Sequence, residues 1–183
     1  MSAGAVALPI ARNDLTKVLS GVRDSKDMTP LQRANLVDTI KETALAWGVG
    51  HATAREIDDM GIISATKTAM QRALATAMET SKLTPDCLFL DYMLWPERRE
   101  IPQVSIVSGD QHSLSIACAS VLAKVWRDNF MLELDAEFPH YGFADHKGYG
   151  TTKHRLALEK HGPTEFHRQY YKPIQMLLKL EED

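Results

Sequence analysis

Apolar residues along the chain recur with two different spacings, which predict strands that alternate with helices. Four short apolar runs are bounded by turn-forming residues, as is typical of buried strands. They lie at 3–10, 45–50, 87–92 and 103–107. Helical spacing predicts segments at 29–44, 53–61, 62–80, 113–137, 152–160 and 164–170. We therefore expect a single α/β domain over residues 1–183, with a C-terminal helical portion from about residue 139.

Two of these helices carry a clear start signal. Thr29 precedes Gln32, and Thr53 precedes Glu56, with the spacing of a capping box. The apolar stripe of the first helix begins with Leu31, which is expected to face the core.

Composition is that of an ordinary globular protein, with 44% hydrophobic residues, 25% charged residues and a net charge of −3. These values exclude a disordered or collagen-like chain and give no overall basic signal for nucleic acid. Cys87 and Cys118 lack metal-ligand spacing and are interpreted as buried thiols in a reducing compartment. No apolar run reaches the roughly 18 residues that span a bilayer, and no charged-then-apolar leader begins the chain, so a cytoplasmic protein is expected.

Positive charge concentrates near the C-terminus. Residues 146–172 hold six lysines and arginines, two glutamates and four of the seven histidines. A locally cationic segment suits a surface that faces a polyanion, whereas the alternative is an ordinary solvated face.

Two aspartates occupy the positions where α/β sheets hold their ligands. Asp91 ends the apolar run at 87–92, and Asp110 follows the run at 103–107. Oxygen ligands of this kind suit Mg²⁺ or Mn²⁺, and two such ions can activate a water against a phosphodiester. The alternative for Asp110 is a helix N-cap, and for Asp91 a strand-end residue.

The run HKGYGT at 146–151 is the strongest local signal. Glycines on both sides of Tyr149 free the backbone to present the ring outward, and Lys147 adds a phosphate-seeking charge. Such a ring can stack on a sugar or base. The alternative is a turn with a half-buried tyrosine.

Together these residues make the chain resemble bacterial ribonuclease HII. The matching segments occur in the family's order along nearly the whole chain. They are DSK (24–26), ALAWGVG (44–50), LD (90–91), GD with SLSIACASVLAKVWRD (109–128), YGFADHKGYGT (141–151) and HGPTEFHR (161–168). The blocks at 109–128 and 146–151 are the specific ones.

The resemblance implies a ribonuclease H-like mixed sheet flanked by helices. It also implies hydrolysis of the RNA strand of RNA/DNA hybrids, and cutting at ribonucleotides embedded in duplex DNA, with Mn²⁺ or Mg²⁺ and as a monomer. Asp91 and Asp110 would be the third and fourth family carboxylates, both metal ligands, and Tyr149 would stack on the sugar at the RNA–DNA junction. Lys26, Lys124 and Lys147 are candidate phosphate contacts. Arg127-Asp128 is interpreted as a structural ion-pairing element.

The chain departs from the family at its start. The family's first, central strand carries Asp-Glu-x-Gly-Arg-Gly, which the sequence lacks, and Asp14 and Asp24 lie in polar loops that offer no substitute pair. Tyr92 stands where the family usually has glycine, and Ser108 where lysine is common. We therefore expect weak metal binding and marginal stability of this chain alone. A start site placed too late is one explanation, and a real truncation is the other.

Two other functions compete with cleavage. A catalytically impaired remnant could bind hybrids through Tyr149 and the basic segment without cutting them. An unrelated small-molecule enzyme would need a phosphate-cradling glycine loop or a nucleophile motif, and the sequence shows neither.

Overall fold

The computed structural model describes residues 1–180 and has an α/β architecture. Its strands are β1 Ser2–Ala7, β2 Ala46–His51, β3 Leu88–Asp91 and β4 Gln103–Ile106. Its α-helices are α1 Leu15–Val18, α2 Pro30–Thr43, α3 Ala54–Ser81, α4 Gly109–His112, α5 Leu114–Glu137, α6 Phe143–His146, α7 Thr152–His161 and α8 Lys172–Leu180. None of the helices within these residues combines the length and the apolar content that a membrane span requires.

The strands pair in two separate two-stranded sheets. β1 runs antiparallel to β2, with Ser2 opposite His51, whereas β3 runs parallel to β4, with Asp91 opposite Ile106. Both pairing types of a mixed sheet are therefore present, and no further strand joins the two pairs within residues 1–180. All four predicted strands are confirmed.

Glycines let β2 lie directly against α3. A Cβ added to Gly48 would come 2.2 Å from the carbonyl oxygen of Ala73, and one on Gly50 would come 2.2 Å from that of Ala69. Because backbone atoms cannot move aside as a flexible side chain can, any larger residue would push the strand off the helix.

Helix α2 begins as the sequence predicts, but its buried face differs. Thr29 and Gln32 form the complete capping box. Leu31, however, is 71% exposed, so its predicted place in the core is wrong. Leu31 precedes the buried Ile40 by about two and a half turns, which puts the two on opposite faces. Arg33 lies on the buried face instead.

Two further predictions need correction. Residues 164–170 form turns and not a helix, because the backbone N–H and the side chain of Thr164 pair with the ring of His167. Cys118 is fully buried, but Cys87 is exposed just before β3. The other predicted helices are confirmed, and Gly61, with φ 79°, marks the predicted junction inside α3.

The chain divides into two compact units, which we call the sheet unit and the helical unit. The sheet unit comprises residues 2–51 and 66–125, and the helical unit comprises residues 1, 52–65 and 126–183. The main core of the sheet unit consists of Leu19, Met28, Ile40, Cys118, Val121 and Leu122. The core of the helical unit consists of Leu134, Tyr141, Phe143, Ala157, Leu158 and Ile174. The expectation of a single domain stays a prediction.

Candidate active site

Asp91, at the end of β3, is held by a hydrogen bond from the backbone of Gly109. Its Oδ1 accepts a hydrogen bond from the Gly109 N–H at 2.8 Å. A Cβ on Gly109 would lie 2.7 Å from Ile116 Cδ1 and 3.3 Å from Asp91 Oδ1. Glycine therefore permits the close approach that fixes this carboxylate beside the Gly-Asp pair.

Tyr92, which follows Asp91, stands where the family usually has glycine. Tyr92 has φ 66°, in the left-handed region that glycine adopts without steric cost. Its side chain is largely exposed. The backbone at this turn is thus suited to glycine, and the tyrosine is accommodated with strain.

Asp110 lies in the first turn of the short helix α4 and is only 8% exposed. It is not the N-cap, because Ser108 occupies that position with φ 52°. The long helix α5 starts at Leu114, and the Ser113 hydroxyl accepts from the Ile116 N–H at 3.5 Å. The interpretation of Asp110 as the N-cap is therefore wrong.

Negative charge converges on Asp110. Its pKa is raised, first by burial and then by the neighbouring carboxylates of Asp24 and Asp91. The charge of Lys26 opposes this rise. Burial and the neighbouring carboxylates therefore make ionisation of Asp110 more costly than that of a free aspartate, and a bound cation would offset this cost.

The DSK segment forms a fixed turn beside Asp110. The Asp24 Oδ1 accepts from the Lys26 N–H at 2.9 Å, and the hydroxyls of Ser25 and Ser120 lie 2.9 Å apart. Buried Arg33 donates to the Ser25 carbonyl oxygen at 2.8 Å. These bonds hold Asp24 at a cleft of about 380 Å³ that Asp110 also lines.

The sequence placed Asp24 in a polar loop and gave it no part in the site. The loop is confirmed, but the turn faces Asp110, which pattern reasoning missed. Its position follows from contacts between residues 86 and 95 positions apart, so only the order of family motifs could have indicated it. Lys124, in α5, is half-buried.

Tyr149 belongs to the helical unit. Gly148 has φ 77° and Lys147 has φ 50°, so the chain turns sharply before the tyrosine. The Tyr149 N–H donates to the His146 carbonyl oxygen at 2.9 Å, and the Thr151 N–H donates to the Tyr149 carbonyl oxygen at 2.8 Å. The residue is 60% exposed, as the prediction of an outward ring requires.

Arg127 supports this loop, and the ion-pairing interpretation of Arg127-Asp128 stays a prediction. Its guanidinium donates to the Lys147 carbonyl oxygen at 2.8 Å and lies 5.1 Å from the centre of the Tyr149 ring. The Lys147 ammonium donates to the Ala144 carbonyl oxygen. Arg127 therefore stabilises the loop that carries Tyr149. No local feature of the sequence indicates this role.

The carboxylates present are compatible with a hard divalent cation. Asp91 and Asp110 offer only oxygen ligands, and Mg²⁺ is commonly bound by one or two protein carboxylates together with water and substrate phosphate. Among residues 1–180, no group of three His, Cys, Asp or Glu side chains is close enough to hold a metal alone. An ion bound here would therefore need oxygen ligands in addition to those of Asp91 and Asp110.

Comparison with solved structures supports the architecture. The ribonuclease H2 of Pyrococcus horikoshii OT3 superposes with a TM-score of 0.77 at 20% identity, over 100% of this chain and 91% of that one. Bst ribonuclease HIII, solved in complex with Mn²⁺, superposes with a TM-score of 0.61 at 14% identity, over 92% of this chain and 61% of that one. These likenesses show that the fold is of the ribonuclease H2 and HIII type.

Sequence comparison is more specific. The ribonuclease HII of Desulfitobacterium hafniense (strain DSM 10664 / DCB-2) is 46% identical over 160 residues, which is 87% of this chain. The matched region spans 60% of that relative's length. The family model for ribonuclease HII matches residues 1–174. The chain therefore belongs to the ribonuclease HII family.

Proposed function

We propose that the chain forms the catalytic part of an endonuclease that hydrolyses the RNA strand of RNA/DNA hybrids and cuts at ribonucleotides embedded in duplex DNA. The observation that carries the proposal is the pair of aspartates at the ends of neighbouring segments. Asp91 is fixed to the backbone of Gly109, and Asp110 is buried next to it. A carboxylate buried among like charges does not stabilise the fold, but it suits a site that binds a cation.

Asp91 and Asp110 would hold Mn²⁺ or Mg²⁺, and Asp24 lies close enough to Asp110 to influence the same ion electrostatically. When bound, a pair of such ions would activate the attacking water and stabilise the leaving oxygen of a phosphodiester. The chain itself supplies orientation: the Gly109 N–H fixes one carboxylate oxygen of Asp91 and leaves the other available.

Nucleic acid would be held by cations and by one aromatic ring. Lys26 lies close enough to Asp110 for its positive charge to act on that carboxylate, and the same charge would meet a backbone phosphate. Lys124 and Lys147 are the other proposed phosphate contacts. Tyr149, with its exposed ring braced by Arg127, would stack on the sugar at the RNA–DNA junction.

The decisive experiment is cleavage of a labelled DNA duplex that contains one ribonucleotide, in Mn²⁺ and in Mg²⁺, with EDTA as the blank. We expect Asp110→Asn and Asp91→Asn to lower the rate by about 100-fold or more, because each removes a charged metal ligand. Asp86→Asn, which alters an exposed acid outside the site, should leave the rate unchanged. Cleavage that persists in EDTA, or that survives both substitutions at the site, would refute the proposal.

A second candidate is hybrid binding without cleavage. It is favoured by the absence of a third metal-binding side chain at the aspartate pair among residues 1–180. In that case the affinity for RNA/DNA duplex would fall steeply as salt rises, and no product would appear with either ion. A chain that neither binds nor cuts would remove both candidates.

A further inference from the structure

Three buried histidines of the helical unit surround the loop that carries Tyr149. His146 ends helix α6, His154 lies in α7, and His167 comes from the HGPTEFHR segment. The rings of His146 and His154 stack with their centres 4.4 Å apart. The proposed function uses none of the three, so their arrangement calls for its own explanation.

Hydrogen-bond chemistry fixes the proton positions on two of these rings. His154 Nδ1 lies 3.0 Å from the Tyr149 carbonyl oxygen, which can only accept, so Nδ1 carries the hydrogen. A neutral His154 then has a bare Nε2, which lies 3.1 Å from His167 Nε2. The hydrogen between the two rings must therefore belong to His167.

The same reasoning assigns the hydrogen bonds between His167 and Thr164. With its hydrogen on Nε2, neutral His167 has a bare Nδ1, which accepts from the Thr164 N–H at 3.0 Å and lies 2.9 Å from the Thr164 hydroxyl. Donation thus runs in one direction, from Thr164 through His167 and His154 to the Tyr149 carbonyl oxygen.

His146 makes a second, parallel connection. Its Nδ1 accepts from the Gly148 N–H at 3.2 Å, so its Nε2, which lies 2.9 Å from the Tyr141 carbonyl oxygen, carries the hydrogen. Both connections end on the loop from Lys147 to Tyr149, and all six ring nitrogens are engaged by protein atoms. This leaves no ring nitrogen for a metal ion, in agreement with the absence of a three-ligand group among residues 1–180.

The surroundings keep His154 and His167 uncharged. Burial is the main cause that lowers the pKa of His154, and it lowers the pKa of His167 to about 4. The titratable groups in ring contact with the pair are His146 and Tyr141. A second proton on His154 would set two N–H groups against each other across the 3.1 Å contact with His167. A second proton on His167 would sit on Nδ1, against the Thr164 N–H at 3.0 Å.

We propose that His154 and His167 are positioning residues, which hold the backbone of Tyr149 through an ordered chain of neutral rings and so set the position of the exposed tyrosine ring against the nucleic acid. This inference rests on the proposed function, because it takes Tyr149 as a contact to substrate. The HGPTEFHR segment thereby acquires a role in supporting the loop that carries Tyr149.

The proton order is tested directly on the wild-type protein with a long-range ¹H–¹⁵N spectrum of the imidazole rings at about pH 7. We expect the hydrogen on Nδ1 of His154 and on Nε2 of His167 and His146. A cationic ring, or the opposite tautomer at His154 or His167, overturns the proposal whatever the protein does to nucleic acid.

The coupling to substrate is tested by hybrid affinity, measured by fluorescence anisotropy without metal ion. His154→Phe keeps a flat ring but removes the donor, so we expect affinity to fall by about 3- to 10-fold. The loss should vanish in a Tyr149→Ala background, because the two changes act through one contact. His154→Asn, whose amide can donate near the Nδ1 position, should recover most of the affinity, and His140→Gln, an exposed histidine, should change nothing.

The possible outcomes distinguish the positioning role of His154 from the proposed function. An equal loss in both backgrounds shows that His154 does not act through Tyr149 and overturns the positioning role. If wild-type chain binds no hybrid, the proposed function and the substrate part of this inference both fail, while the ring spectrum still decides the hydrogen-bond chain. Thermal unfolding of each variant distinguishes a lost donor from a lost fold.

Discussion

Acid should destabilise this protein through His167 in a way that the structure quantifies. The ring is 9% exposed, and its pKa falls from the ordinary 6.5 to about 4, mainly because burial disfavours the charged form. Above about pH 6.5 the ring is neutral in both the folded and the unfolded chain, so it has no effect on the pH dependence there. Between 6.5 and about 4 the unfolded chain binds a proton that the folded chain does not, and stability falls with pH.

The size of the stability loss follows from the two pKa values of His167, 6.5 in the unfolded chain and about 4 in the folded chain. Each pH unit in that interval costs about 1.4 kcal/mol, so the loss at about pH 5 is about 2 kcal/mol and saturates near 3 kcal/mol below about pH 4. His154, whose pKa is also lowered by burial, acts in the same direction. A loss of this size is a substantial part of the stability of a small protein.

The assay is urea unfolding, followed by far-ultraviolet circular dichroism, at several pH values from about 8 to 4.5. His167→Gln keeps an N–H group for His154 but does not titrate, so the difference between wild type and variant isolates this ring. We expect the wild type to lose about 2 kcal/mol relative to His167→Gln as pH falls to about 5. His140→Gln should keep the wild-type slope. Identical slopes for wild type and His167→Gln would refute the reasoning.

Four other substitutions or reactions test separate parts of the structure. Gly50→Ala should destabilise by about 1–3 kcal/mol in thermal unfolding, because its Cβ would meet a helix carbonyl at 2.2 Å, whereas Gly21→Ala, with neighbours at 3.4 Å, should not; equal melting temperatures would contradict the close packing. Tyr92→Gly should raise stability by about 1 kcal/mol by relieving a positive φ, and a lower melting temperature would exclude strain there. Asp110→Asn should raise the melting temperature in EDTA by a few degrees, because it removes a buried charge from like charges, and should abolish stabilisation by Mn²⁺. In the native protein a thiol reagent at about pH 8 should modify Cys87 alone, since the other cysteine is buried with its pKa raised to about 12; modification of both would contradict that burial.

Local chemistry made much of the secondary structure predictable. Capping boxes such as that of Thr29 are satisfied by residues three positions apart, so no distant part of the chain is needed to form them. The face that a helix buries is less certain, because it depends on what packs against it. Leu31 shows this: it is apolar, yet it lies on the solvent side of α2 while Arg33 is buried.

The same distinction applies to the site. Strand-end position indicated Asp91 and Asp110, because ligands of α/β sheets bind at the carboxyl ends of the strands. Asp24 could not be found in this way, since its turn is brought to Asp110 only by long-range contacts such as that between Ser25 and Ser120. The hydrogen bonds between the histidines could not be predicted either, because the spacing of His154 and His167 does not indicate that their rings are in contact.

By itself, the sequence determined the order of strands and helices and the family, and it indicated the two candidate carboxylates, because periodicity, capping and motif order can be read along the chain without knowledge of its folding. Tertiary structure alone decided that Asp110 is buried among like charges, that Asp24 faces it, and that neutral histidines support the tyrosine loop. These features depend on desolvation and on contacts between distant segments, and both arise only when the chain is folded.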